Sequence, residues 1–157
     1  MHRDLAAQTY RRFVKTHLPI DGLPLYDEVQ YIHVAREGRD AAMSLHNHFM
    51  IISRSHYERM DRLGLEDPAV GRPHPRPSGD PAEFFRYWLT NGAVEGQSDG
   101  SPMLSFFDLE AGYWAERRQP NLLLVHYNDL KHDLDGEMRR IPSFSVSKSM
   151  KLSGHYL

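Results

Sequence analysis

Residues 31–49, YIHVAREGRDAAMSLHNHF, decide how the rest of the chain is read. Val29, Tyr31, Ile32, Val34 and Ala35 make a short apolar run rich in strand formers, and Gly38 with its charged neighbours breaks that run. A strand is therefore expected to end near Ala35. Beyond Gly38, Ala41, Ala42, Leu45, Phe49 and Ile52 recur at helical spacing, which turns one face inward and leaves Arg39, Asp40 and Asn47 toward water. Such a strand-to-helix junction places the Arg36 guanidinium and the first free N–H groups of the helix at the carboxyl edge of a sheet. Open α/β folds bind anions there, and the arrangement suits a phosphate. On these residues alone, a surface arginine in a turn reads equally well.

Upstream, residues 11–17, RRFVKTH, carry Phe13 and Val14 at their centre and meet the prolines of LPIDGLP, which predicts a short strand running into a loop. Downstream, residues 55–80 hold Gly64, Pro68, Gly71, Pro73, Pro75, Pro77 and Gly79, and read as a long irregular loop, either a lid or a surface excursion. Asp80 caps a helix with Pro81 in its first turn and Phe84, Phe85, Trp88 and Leu89 on its apolar face; Asn91 and Gly92 end it. Phe106, Phe107, Leu109, Tyr113 and Trp114 mark a further helix, whose aromatics read as core and can also shape an apolar pocket. Residues 121–127, NLLLVHY, are an uninterrupted apolar run of the kind buried on both faces of a parallel sheet, and Leu130, Leu134, Met138 and Ile141 follow on one side of a helix. Alternating strands and helices with three apolar strands predict a single α/β domain over residues 1–157, a parallel sheet with flanking helices.

Composition narrows the function classes. A 157-residue chain can bury one core, and a net charge of -2 argues against general affinity for nucleic acid or an anionic membrane. With no cysteine, disulfides, thiolate metal sites and cysteine nucleophiles are excluded. No stretch approaches a membrane span and the N-terminus has no signal-like apolar core, so a cytoplasmic protein is expected. Among ten histidines, His46 and His48 are two apart on the expected helix and point in nearly opposite directions, so they do not chelate one ion; no metal is expected, and His48 is read as a core histidine.

Three segments resemble the PAPS-dependent (cytosolic-type) sulfotransferase family. Lys15, Thr16, His17, Leu18 and Pro19 reproduce its K-T-H-L-P segment; Arg36, the G-R-D turn and Ser44 resemble its 3'-phosphate segment; and residues 114–131, W-x-x-R-R-x-x-N-L-L-L-V-H-Y-x-D-L-K, resemble its adenine-side strand and helix. The resemblance covers about residues 11–141 and implies a P-loop-NTPase-like sulfotransferase fold, in part. It implies His17 as catalytic base with Lys15 beside the transferring group. It further implies Arg36 and Ser44 on the 3'-phosphate and Tyr127 near the adenine of 3'-phosphoadenosine 5'-phosphosulfate (PAPS).

The chemistry asks for such residues: an imidazole titrates near neutral pH and can take an acceptor proton, and a guanidinium forks onto phosphate where a lysine is only a point charge. The implied acceptor is a small-molecule alcohol or phenol, with no nucleic acid and no membrane as partner. The family's phosphosulfate loop, of the form Y-P-K-S-G-T-T-W, and its closing R-K-G segment are not in this sequence. An exposed sheet edge, with lower stability or homo-oligomer formation through it, is expected. The alternative expectation is a catalytically inactive sulfotransferase-like domain that binds nucleotide or a partner. A P-loop kinase relative would need a G-K-[ST] loop, which the sequence lacks.

Overall fold

The computed structural model describes residues 12–152, with side chains through residue 145. Among these, two strands, β1 (Tyr31–Ala35) and β2 (Leu122–His126), pair in parallel, Tyr31 opposite Leu122 and Ala35 opposite His126. Six helices accompany them: α1 (Gly38–Met50), α2 (Arg54–Glu66), α3 (Pro81–Thr90), α4 (Phe106–Ala115), α5 (Tyr127–His132) and α6 (Leu134–Leu152). A 3-10 turn, Ile20–Gly22, precedes β1.

Two cores hold the elements together. In the first, Ala42 and Phe49 of α1 meet Phe84 and Trp88 of α3, with Met43, Leu45, Ile52, Phe85 and Phe106 packed around them. Phe84 is 1% exposed, and burying an aromatic of that size contributes roughly 1.5–3 kcal/mol. The second core lies on one face of the sheet, where Ile20, Tyr113 and Leu122 gather Leu23, Tyr31, Leu109 and Leu124. On the opposite face Val125 is fully buried, while Ile32 and Val34 of β1 stay largely exposed.

The helix starts follow from their caps. The Asp80 carboxylate accepts from Ala82 N–H at 2.7 Å with Pro81 in the first turn, as the sequence predicts. At α4 the buried Asp99 carboxylate accepts from the Ser105 hydroxyl at 2.5 Å, and from Phe106 and Phe107 N–H at 2.8 and 3.2 Å. Gly100 turns beside it at φ +90°, a backbone region that favours glycine.

Four expectations are corrected. Residues 12–17 form no strand; a strand needs a neighbour's ladder, and among the described residues β1 and β2 pair only with each other, leaving Phe13 and Val14 83% and 90% exposed. The three-strand expectation therefore becomes two. The irregular stretch is shorter than residues 55–80, because Ser53 caps α2 through His56 N–H and the helix runs to Glu66. The following strap is tied back by Arg76 to Asp61 at 2.5 Å and by the Arg76 guanidinium over the Tyr57 ring at 4.1 Å. Finally, His46 rather than His48 is the buried histidine: it lies one turn from Ala42 on the core side, its Nε2 3.2 Å from the Ser78 carbonyl oxygen, while His48 faces outward.

Candidate functional site

Both strands end at the same edge of the sheet, and the two residues that follow them meet there. Arg36 comes directly after β1, and Tyr127 opens α5 directly after β2. The Arg36 guanidinium carbon lies 4.6 Å from the centroid of the Tyr127 ring, within cation–π range. Lys131, one turn further along α5, brings its Nζ to 5.7 Å from the same ring. The Arg36 side chain is about one-third exposed; its Nη2 stands 3.8 Å from the Asp40 carboxylate, and its buried Nε–H has no acceptor among the described residues. A buried guanidinium donor without an acceptor, beside an aromatic face and a second cation, fits an anionic group attached to a planar base.

The helix terminus contributes less than the sequence implies. Glu37 caps α1, its carboxylate accepting from Asp40 N–H at 3.1 Å and from Arg39 Nε at 3.0 Å. The Arg39 hydrogen bond, followed by the Asp40 N–H, holds the Glu37 carboxyl below its usual range. A carboxylate thus already occupies one of the N–H groups expected to be free, which leaves Arg36 and Lys131 as the cations at this edge beside Tyr127.

Among the predicted site residues, Arg36 and Tyr127 are brought together. Ser44 lies exposed on α1, and Lys15 and His17 lie exposed on the irregular segment before the 3-10 turn. Among the described residues no hydrogen bond or ring contact joins Ser44, Lys15 or His17 to the Arg36–Tyr127 pair. Sequence reasoning missed Lys131, although its four-residue spacing from Tyr127 on a helix was a usable signal. It also missed the Glu37 cap, because the residue reads as part of the turn.

A cavity of about 380 Å³ lies beside the His17 segment, between Pro19, Ile20 and Asp21 on one side and Leu104, Ser105 and Leu109 on the other. Gln97 also lines it, and its buried Oε1 has no donor among the described residues. The cavity is mixed in character, with apolar leucines and acidic Asp21 and Asp108.

Comparison with known proteins agrees with the fold and with the family that the sequence resembles. The sequence matches the sulfotransferase domain family over residues 2–151. It is 35% identical to a glycolipid sulfotransferase of Mycobacterium bovis (strain BCG / Pasteur 1173P2), over 87% of this chain and 45% of that protein. The mouse sulfotransferase SULT7A1 complexed with PAP has a similar fold, with a TM-score of 0.60 at 21% identity over 90% of this chain and 42% of that one. Retinol dehydratase in complex with androsterone and the inactive cofactor PAP is similar at a TM-score of 0.55 and 27% identity, over 90% of this chain and 34% of that one. The chain spans less than half the length of these relatives. A family match over nearly the whole sequence, with a shared partial α/β fold, establishes that the chain belongs to the sulfotransferase domain family.

Proposed function

We propose that this chain carries the nucleotide-anchoring and base-bearing parts of a sulfotransferase that moves a sulfuryl group from PAPS to a hydroxyl of a small-molecule acceptor. The observation that carries the reading is the Arg36–Tyr127 pair at the carboxyl edge of the sheet, with its unpartnered buried Nε–H. PAP in the related complexes supports a 3'-phosphorylated adenosine nucleotide as the ligand. When bound, PAPS supplies the sulfuryl group.

In this reading Arg36 forks onto the 3'-phosphate, with Ser44 adding a hydroxyl, and Tyr127 lies against the purine. His17 takes the acceptor's hydroxyl proton as that oxygen forms its bond to sulfur and the bond to the nucleotide phosphate breaks. Lys15 places positive charge where charge builds on the transferring group. The cavity beside Pro19 and Leu109 offers an alcohol or phenol space next to the loop that bears His17. Its apolar side, Leu104 and Leu109, would suit an apolar molecule such as the androsterone bound in the retinol dehydratase complex.

A second reading, nucleotide binding without transfer, is favoured by the exposure of Lys15 and His17 and by the lack of any contact between them and the Arg36–Tyr127 pair. Calorimetric titration with adenosine 3',5'-bisphosphate, beside AMP and beside Arg36→Ala, tests the shared part of both readings. Selective binding lost in the variant is expected; equal binding of AMP, or none by a folded chain, rejects the cofactor site. A transfer assay with alcohol and phenol acceptors, controlled by His17→Ala, then separates the two.

A further inference from the structure

We infer that Tyr113 is a positioning residue for the segment that carries His17, held in place by His33 and Glu110; the inference rests on the reading of His17 as the base. The segment joins the sheet-side core at Ile20, which is buried beside Tyr113. Residues 12–18 are exposed and form no regular structure. Thr16 Oγ1 accepts from Leu18 N–H at 3.0 Å, which folds the backbone around His17 without anchoring it to the domain. Next to His17 the backbone is tied to α4, where the Tyr113 hydroxyl donates to the Leu18 carbonyl oxygen at 3.1 Å.

Tyr113 is built to stay where it is. It is 6% exposed, and its ring packs with Ile20 and Leu122 in the sheet-side core. The His33 ring of β1 stacks flat on it, centroids 3.8 Å apart and planes 7° from parallel. His33 is itself fixed by its Nε2, 3.0 Å from a Glu110 carboxylate oxygen. Burial, and then the Glu110 charge, push the Tyr113 phenol above its ordinary range, so the hydroxyl stays a donor at neutral pH.

The unit thus runs from the sheet through one stacked pair to the residue after His17. Phenylalanine at position 113 would keep the packing and the stack and lose only the tether.

Backbone 15N relaxation on the full chain reads the tether directly, comparing wild type with Tyr113→Phe. The expected result is a loss of order at His17 and Leu18 alone, with residues 31–35 and 122–126 unchanged and bisphosphate affinity retained. In the transfer assay, kcat falls roughly tenfold while KM for donor and acceptor stays fixed. Unchanged order at His17 and Leu18 overturns the inference, as does loss of order spread through the sheet, which marks a purely structural role. If circular dichroism shows that Tyr113→Phe does not fold, His33→Ala tests the support of the tether instead: it removes the stacked ring and leaves the hydroxyl, loss of order at His17 and Leu18 is expected, and unchanged order there overturns the inference. A wild-type chain that performs no transfer counts against His17 as the base, and the relaxation data still decide the tether.

Discussion

The guanidinium of Arg36 rests 4.6 Å from the ring of Tyr127, so the residues that leave the two strands are joined before any ligand is involved. Charge and aromatic face are already adjacent, which would lower the ordering that the proposed nucleotide imposes on binding.

Tyr127→Ala is therefore expected to weaken binding of adenosine 3',5'-bisphosphate by about tenfold, from the loss of a cation–π contact of roughly 0.5–2 kcal/mol and of the ring itself. Tyr127→Phe, which keeps the ring, should bind within about twofold of wild type. Calorimetry on the three proteins checks both, and equal affinity for Tyr127→Ala would falsify the role given to the ring.

Glu37 makes the start of α1 sensitive to acid. Its carboxyl is held below the usual range in the folded chain, so its contribution is fully present above the unfolded value near 4.5 and is lost as pH falls through the lower folded value. Glu37→Gln should flatten the fall in urea midpoint between about pH 5 and about pH 3. The same variant should bind the bisphosphate more tightly at neutral pH, by about twofold to fivefold, since it removes a negative charge beside the anion site. A pH profile indistinguishable from wild type refutes the first expectation, and unchanged affinity refutes the second.

His46 and His48 should respond oppositely to truncation. His46→Ala removes a buried ring 5.1 Å from Phe84 and its bond to the Ser78 carbonyl, and is expected to cost about 2–3 kcal/mol. His48→Ala should lie within about 0.5 kcal/mol of wild type. Denaturant midpoints distinguish the two, and equal losses would mean that the helix is phased otherwise.

The periodicity and inward face of α1 are legible, since Ala42, Leu45, Phe49 and Ile52 all join the first core, and only its histidine is misassigned. His48 sits next to Phe49 in sequence, but Ala42, His46 and Phe49 share the buried side. Strand character in β1 and β2 is legible because each is a short run rich in strand-forming or aliphatic residues, and each has a parallel partner. Phe13 and Val14 carried the same local signal; pairing is a long-range property that those residues do not encode. In α2 the signal was present but masked, since Tyr57, Met60, Asp61 and Gly64 turn inward without any of them being buried, and the prolines beyond dominated the reading. Of the candidate site, Arg36 and Tyr127 were legible from their motifs. Their mutual contact, and the Tyr113–Leu18 tether, depend on elements brought together from distant parts of the chain.

Asp99 holds the start of α4 and hence the wall of the cavity. Asp99→Ala leaves the buried Ser105 hydroxyl and two N–H groups without their acceptor, and should cost about 2 kcal/mol or more. Gly100→Ala is expected to be similarly harmful, because its φ of +90° disfavours a side chain and the added Cβ would meet the Leu104 backbone. Thermal or urea unfolding measures both; a neutral Gly100→Ala would show that the turn relaxes.

The parallel register of β1 with β2 also sets an order of events during folding. All of α1 to α4 lies between the paired strands, so the sheet closes a long loop, whereas the α1–α3 core closes a much shorter one. As the chain emerges from the ribosome, the helical core has all its parts long before Leu122 is made. The contact between Arg36 and Tyr127 then arrives after the helical core, as a by-product of strand pairing. The proposed nucleotide affinity would in this sense report on strand pairing, and a folding intermediate rich in helix should have none.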